Sequence, residues 1–344
     1  MKKTSARKRR ILVTGGAGFI GSHLVRLWLR EDPGVSIVNL DKLTYCGDPA
    51  RLADVQGDPR YQFMQGDVQN PADVKRAIAG CDGVVHLAAE THVDRSLLEG
   101  KVFFESNTIG TYVLLEEARR ARVSRFLHVS TDEVYGSRLT GFFKETDAMS
   151  PSSPYSVSKT AADLLALSYA HTHGLDVVVT RGANTFGPYQ YPEKAIPLFV
   201  SNALADQPLP LYGDGLQVRN WIYVEDHCRA ILRVFDRGKK GEAYNVSSVN
   251  YKTNIEMTRQ LLKILGKPFS LVKKVRDRLG HDRRYALNNS KLRALGWKER
   301  YSFREALEKT VFWYRDNEAW WRAIKEKNRE FSEYYAKAYG DRMK

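Results

Sequence analysis

Ile11-Leu12-Val13-Thr14-Gly15-Gly16-Ala17-Gly18-Phe19-Ile20-Gly21 decides how this chain is read. A short apolar run ends in glycines at 15, 18 and 21, and Ser22–Arg30 then carries helical periodicity. Strand, glycine turn and helix start, in that order, bring unpaired N–H groups of a helix N-terminus close to a pyrophosphate. A second apolar run, Val35–Leu40, ends at Asp41, twenty residues after the last of those glycines. A carboxylate there accepts hydrogen bonds from a ribose diol and repels a 2′-phosphate, which favours NAD over NADP. Lys42, directly after it, brings a positive charge to the same corner.

The alternation continues outward from this motif. Tyr61–Gln65, Gly83–Leu87, Arg125–Ser130 and Val177–Arg181 are short β-rich runs, separated by helical stretches such as Phe103–Arg122 and Ser156–His173. Strands alternating with crossover helices imply an α/β fold, a Rossmann-type doubly wound parallel sheet with right-handed connections. Gly66-Asp67-Val68 ends the third strand, where a carboxylate can meet an adenine amino group, and Leu87-Ala88-Ala89 closes the fourth with small residues.

After about Thr180 the pattern loosens. Ala183–Pro197 reads as loop and Leu209–Arg219 as turn-rich, while Val224–Arg237 is helical and apolar enough to return to the first layer. Beyond Val249 come a helix (Asn254–Leu265), an irregular basic segment and amphipathic helices from Ser302 onward. The expected division is a nucleotide-binding domain at 11–182 plus about 222–248. A smaller C-terminal mixed α/β substrate lobe takes about 183–221 plus 249–330, and 1–10 form a basic tail.

With 344 residues and a hydrophobic fraction of 43% the chain can bury a full core. No run of eighteen apolar residues spans a membrane, and the segment behind the basic start is too short and glycine-broken for a signal-peptide core. Cys46, Cys81 and Cys228 form no CxxC and suit reduced cytoplasmic thiols better than a disulfide framework; no metal-site spacing is present. The net charge of +14 invites a nucleic-acid reading. No DNA- or RNA-binding signature accompanies it, so a solvated tail plus subsites for an anionic small molecule accounts for it better.

The chemistry sits in two short stretches. Tyr155-Ser156-Val157-Ser158-Lys159 places a phenol and an ammonium at i and i+4 on one helix face. The ammonium favours the phenolate, which can then take an alcohol proton. Ser130-Thr131-Asp132-Glu133 adds two carboxyls. Alcohol oxidation needs only the Tyr/Lys pair, so an extra acid and base imply a second reaction, with elimination of water the obvious candidate. The blander reading of Asp132 and Glu133 is a helix N-cap with dipole-complementing charge. His86 reads as a structural strand residue.

Together these motifs resemble the extended short-chain dehydrogenase/reductase family, and within it the sugar-nucleotide 4,6-dehydratases. The resemblance also runs through Asp41-Lys42-Leu43-Thr44-Tyr45, His86 to Ser96, Ser153-Pro154-Tyr155, Gly187 to Lys194 and Gly280-His281-Asp282-Arg283-Arg284-Tyr285. YxxxK identifies only the superfamily; the Thr-Asp-Glu run is what sets dehydratases apart from related epimerases and decarboxylases. The resemblance implies three steps without net redox change on a nucleoside-diphosphate hexose, dTDP-glucose first. Tyr155, helped by Lys159 and Thr131, takes the C4 hydroxyl proton as hydride passes from C4 to NAD. Glu133 removes the C5 proton that the new ketone acidifies, Asp132 protonates the departing C6 hydroxyl, and hydride returns to C6.

The same resemblance assigns NAD contacts to Gly15, Gly18, Phe19, Ile20, Gly21, Asp41, Lys42, Leu43, Thr44, Asp67, Val68, Leu87, Ala88, Ala89, Ser106, Tyr155, Lys159 and Thr185. Substrate contacts fall on Thr91, Thr131, Asn184, Lys194, Ala195, Pro210, Leu211, Tyr212, Arg219, Asn245, Asp277, Arg278, Gly280 and His281. Positive charge at Lys194, Arg219 and Arg278 suits a diphosphate. Three residues depart from the family's usual pattern: Thr185 replaces a second Asn, Phe186 a Tyr, and Leu279 a Pro. None is in the catalytic set, so they bear on the base and the sugar more than on the reaction.

Alternatives stay open at this point: a dehydratase for a UDP-, CDP- or GDP-linked hexose, a 4-epimerase or decarboxylase on the same scaffold, or a non-catalytic NAD-binding regulator. A homodimer is expected by resemblance, with Val113, Leu114, Leu164, Leu165 and Leu167 offering apolar surface on the two long helices.

Overall fold

The computed structural model describes residues 8–277 and 280–339. Six strands come first: β1 (Arg9–Thr14), β2 (Val35–Asp41), β3 (Tyr61–Gln65), β4 (Gly83–His86), β5 (Arg125–Thr131) and β6 (Val177–Gly182). Three more follow, β7 (Asn184–Phe186), β8 (Leu209–Tyr212) and β9 (Val218–Tyr223), before β10 (Glu242–Val246) rejoins the main sheet. That sheet runs β10-β6-β5-β4-β1-β2-β3, every neighbouring pair parallel. This is the expected doubly wound α/β fold. Strand order reverses between β1 and β4, and a ligand crevice opens outside the carboxyl ends of the strands at such a point.

Strands buried on both faces carry continuous apolar runs because helices cover each side. Helix Phe19–Glu31 shares one face with helix Val224–Arg237, where Trp28 meets Phe235 edge to face at 5.2 Å. Helices Pro71–Ile78, Gly110–Arg120 and Pro154–Thr172 cover the other, burying Val74, Leu114, Leu115, Ala166 and Tyr169. Pro154–Thr172 starts two residues earlier than its periodicity indicates. Pro154 fills the first turn and Ser153 and Ser156 cap each other reciprocally, so the helix is set before its first apolar residue.

Phe103–Arg122 is not one continuous α-helix. A π-helical turn, Phe104–Ile109, precedes the α-helix Gly110–Arg120. Asn107 inside that turn donates to the Glu90 carbonyl (3.0 Å) and Ser158 Oγ (2.9 Å) and accepts from the Glu90 amide (2.8 Å). The widened turn therefore aims one side chain at the segment leaving β4, a use typical of π-turns near functional sites.

Two small sheets lie in the later part of the chain. β7 pairs in parallel with β9, which pairs antiparallel with β11 (Tyr251–Thr253); β8 pairs in parallel with β12 (Val272–Val275). The stretches read as loop and turn, 183–197 and 209–219, thus contain β7, β8, the start of β9 and the start of helix Ala195–Leu204. Strands of three or four residues carry too little alternation to be seen locally. Helix Asn254–Leu265 has the bounds its pattern indicates, with a Thr253/Glu256 capping box at one end and Gly266 in the left-handed region (φ 64°) at the other. The last described helix, Arg329–Tyr339, folds back so that Glu330 pairs with Arg95 at 2.9 Å.

Candidate active site

The glycine turn after β1 is shaped by contacts that exclude side chains. Gly15 has φ 73°, and a Cβ there would lie 2.7 Å from the Ala88 amide nitrogen. A Cβ on Gly21 would lie 2.2 Å from the Gly15 carbonyl oxygen. These glycines leave an open cradle at the start of helix Phe19–Glu31, which fits a pyrophosphate. Asp41, at the end of β2, accepts from the Ala17 amide and the Leu43 amide, both at 2.9 Å. It thereby joins the glycine turn to the backbone beyond β2, and Leu43 takes the left-handed conformation (φ 60°) that branched side chains rarely adopt. Lys42 pairs with Asp67 at 2.7 Å, so its charge is engaged by the carboxylate at the end of β3. That arrangement suits a ribose diol better than a 2′-phosphate.

A cavity of about 310 Å³ follows the carboxyl ends of β1, β2, β4 and β5. Gly15, Gly18, Phe19, Ile20, Gly21, Asp41, Lys42 and Thr44 line its nucleotide end. Asp67, Val68, Leu87, Ala88, Ala89, Thr91 and Ser106 line its flank, and Asn184, Thr185 and Lys194 the far wall. Leu43 is near but contributes no lining. Thr131, Asp132, Glu133, Tyr155 and Lys159 meet at the other end, so the structure brings the five residues expected to be catalytic into one space with most of those expected to hold the cofactor.

Asp132 is strongly perturbed. It is buried, its Oδ2 has no hydrogen-bond partner among the described residues, and Thr131 Oγ1 donates to Oδ1 at 3.3 Å. Burial, then the neighbouring Glu133 charge, push its carboxyl up to about 8, against an ordinary value of 3.8. At neutral pH Asp132 is therefore an acid carrying its proton. Thr131 caps the short 3₁₀ turn Asp132–Tyr135 by accepting from the Glu133 amide at 3.3 Å. The N-cap reading of this stretch thus holds for Thr131, while the Asp132 carboxyl faces the cavity.

Tyr155 and Lys159 share the face of their helix, but the ammonium does not hold the phenol as a phenolate. Lys159 Nζ donates to the Val129 carbonyl at 2.8 Å, and burial lowers it to about 8. Burial and then the Glu133 charge raise the Tyr155 phenol, while a hydrogen bond with Thr131 lowers it. The proton-poor phenol inferred from i, i+4 spacing is corrected here: in the cofactor-free site, desolvation outweighs the ammonium. His86 is structural, its ring bonded to Thr14 Oγ1 at 2.7 Å and Thr111 Oγ1 at 3.0 Å.

A second cavity of about 150 Å³ shares Glu133, Asn184, Glu193 and Lys194 with the first. Ala195, Pro210, Leu211, Tyr212, Arg219 and His281 line it as expected. Arg219 is held by the Val218 carbonyl (2.9 Å) and the Asp282 carbonyl (2.8 Å) and lies over the Tyr285 ring. Asp277 does not line the cavity; it bonds His281 Nδ1 at 2.6 Å and Gln217 Nε2 at 2.9 Å. Gly280 is adjacent but not part of the lining, and Arg278 lies outside the described residues. Asn245 is a correction. Its side chain is fully buried, accepting from Tyr135 Oη at 2.9 Å and donating to the Phe143 carbonyl at 3.0 Å, and it reaches neither cavity. Asn254, in the first turn of its helix, lines the second cavity instead.

Several lining residues escaped the sequence reading. Tyr45, Glu90, Gln190, Tyr191, Glu193 and His227 border the first cavity, and His92, Asp94, Trp221 and Asn254 the second. Most lie inside the quoted motifs, so adjacency to assigned residues was the available signal. His227 had none: it comes from the helix Val224–Arg237 and bonds Thr185 Oγ1 at 2.6 Å.

Residues 12–310 match the family model described as GDP-mannose 4,6 dehydratase. A dTDP-glucose 4,6-dehydratase of Streptomyces niveus is 49% identical over 321 residues, 92% of this chain and 96% of that protein. The solved dTDP-glucose 4,6-dehydratase of Streptomyces venezuelae, with NAD and dTDP bound, superposes with a TM-score of 0.90 at 49% identity, covering 92% of this chain and 100% of its own. That of Bacillus anthracis, in complex with NAD, gives 0.86 at 45% identity, with coverage of 92% and 100%. A Thr-Asp-Glu turn beside Tyr155 and Lys159, and near-full-length likeness to enzymes of one kind, carry one conclusion: the chain belongs to the dTDP-glucose 4,6-dehydratase family.

Proposed function

We propose that this chain converts dTDP-glucose to dTDP-4-keto-6-deoxyglucose, with NAD held by the glycine cradle, Asp41 and the walls of the first cavity. Bound there, NAD would supply the hydride acceptor that oxidation at C4 needs and the hydride donor that C6 needs. Tyr155, as the phenolate it becomes only in the loaded site, takes the proton from the C4 hydroxyl, steadied by Thr131 and Lys159. Glu133 removes the C5 proton, and Asp132 supplies the proton that turns the C6 hydroxyl into leaving water. The observation that carries this reading is the Asp132 carboxyl, buried beside Glu133 in the same cavity as the Tyr/Lys pair, where burial and the Glu133 charge favour its protonated form. A C6 hydroxyl leaves only when protonated, and an oxidation or epimerisation has no use for that acid.

The second cavity takes the nucleotide diphosphate in this reading, with Arg219, Lys194 and His281 toward the phosphates and Asn254 in the place first given to Asn245. The two-lobe division, 11–182 plus about 222–248 against about 183–221 plus 249–330, belongs to the same proposal. So does a cytoplasmic homodimer. Leu114 is buried, and Val113, Leu165 and Leu167 pack against the chain's own core, but Leu98, Ile109, Tyr112 and Leu164 are exposed on the helices around Gly110–Arg120 and Pro154–Thr172. A two-fold pairing of these helices would cover them.

Mass spectrometry of the product from dTDP-glucose tests the reaction: loss of one water supports it, and an unchanged mass points to epimerisation. The same assay with UDP-, CDP- and GDP-hexoses tests the base. Sedimentation at micromolar concentration tests the dimer, which a monomer mass near 39 kDa would refute.

A further inference from the structure

The proton count of the proposed reaction, on which this inference rests, does not close within a single turnover. Tyr155 keeps the proton of the C4 hydroxyl. Glu133 takes the C5 proton and returns it to C5. Asp132 gives its proton to the C6 hydroxyl, which departs as water. The hydride lifted from C4 is the one set down at C6. Substrate has then lost one water, Tyr155 holds one proton too many, and Asp132 lacks one. The next turnover requires one proton moved from Tyr155 to Asp132.

The site offers a path for that transfer. Tyr155, Thr131 and Asp132 are all buried, with 7%, 8% and 3% of their surfaces exposed. Thr131 Oγ1 donates to Asp132 Oδ1 at 3.3 Å, and the same hydroxyl shares a hydrogen bond with the Tyr155 phenol. Toward a phenolate Thr131 donates, the sense that lowers the phenol; once Tyr155 is protonated and Asp132 ionised, the hydroxyl turns, donating to Asp132 and accepting from Tyr155. Both bonds then run in one sense, from phenol to carboxylate. Lys159 does not offer a shorter way, since its ammonium donates to the Val129 carbonyl in β5.

We propose that Thr131 is a proton relay that resets the enzyme between turnovers. The Tyr155 O–H bond breaks as a new O–H forms on Thr131 Oγ1, and the original Thr131 O–H proton passes to an Asp132 oxygen. Tyr155 becomes phenolate, Asp132 becomes the acid, and Thr131 is unchanged. No oxidant, reductant or solvent molecule enters the balance.

Quench-flow with the NAD-loaded enzyme and excess dTDP-glucose tests this by comparing the first turnover with the steady state. Thr131→Val slows both, because Thr131 also steadies the phenol, but the relay makes the steady state fall at least about tenfold further. The product trace then shows a burst of one equivalent per site followed by a slow phase. Added imidazole, a diffusible proton carrier, speeds the slow phase and leaves the burst alone. Thr131→Ser keeps the hydroxyl and shows no burst. If Thr131→Val slows both phases by one factor, or if imidazole leaves the slow phase unchanged, the relay is wrong. If the wild type yields no product lighter by one water, the proposed reaction fails, and that result is distinct from failure of the relay.

Discussion

Arg181 in β6 and Asp163 in helix Pro154–Thr172 form a fork-to-fork pair, Nε to Oδ2 and Nη2 to Oδ1, each at 2.9 Å, with both side chains almost wholly buried. The pair anchors the helix that carries Tyr155 and Lys159 to the strand beside β5, which carries Thr131. Asp163→Ala leaves a buried guanidinium without its counter-charge, and such breaks cost about 3–5 kcal/mol. Urea denaturation reads the loss directly, and a variant within about 1 kcal/mol of wild type would show the anchor to be dispensable.

Asp132→Asn and Glu133→Gln slow elimination far more than the initial oxidation, since losing a positioned acid or base costs about 10²–10⁴-fold. Stopped-flow detection of enzyme-bound NADH beside product formation separates the two steps. In the wild type, kcat/KM falls as pH rises through about 8, where Asp132 loses its proton. Its raised value also bears on stability: the contribution is full below the ordinary 3.8 and is lost as pH rises toward 8. Asp132→Asn therefore gains stability relative to wild type across that window, as thermal melts at pH 4 and pH 8 would register.

Asn245 and Asn254 separate by readout. Asn245→Ala removes partners of Tyr135 and the Phe143 carbonyl in the interior. It lowers stability by about 1–3 kcal/mol for the unsatisfied groups it leaves. Asn254→Ala instead raises KM for the sugar nucleotide, with the melting temperature nearly unchanged. Reversed results would return Asn245 to the site.

Four buried histidines and the half-buried His23 make the fold acid-sensitive. Burial lowers His23, His92 and His227 to about 4 and His86 to about 3, and holds His128 well below its ordinary value. Because these folded-state values are depressed, the stability they confer is present above about 6.5 and drains away as pH falls through 4 to 3. His128→Asn, which removes one titrating ring, shallows the slope of stability against pH in that range. An unchanged slope would mean that His128 does not titrate on unfolding.

The parallel sheet, the glycine turn, Asp41 at its strand end and the shared helix face of Tyr155 and Lys159 were legible in the linear chain because each depends on local spacing. A short continuous apolar strand, a glycine turn, a carboxylate at a strand end and a Tyr–Lys pair one helical turn apart all act within a few residues. The capping boxes at Thr253/Glu256 and Ser302/Glu305 are local in the same sense, and they delimit their helices closely. What only the tertiary structure decided depends on groups brought together from afar. The short strands β7, β8, β11 and β12 exist through their partners, not through their own pattern. Asn254 rather than Asn245 faces the second cavity because one opens a surface helix while the other closes a buried strand. The protonation of Asp132 and Tyr155 belongs here too. Twenty-three residues apart in the sequence, they carry ordinary carboxyl and phenol values until the fold removes water from around them, and desolvation, which no spacing encodes, then favours the protonated form of each.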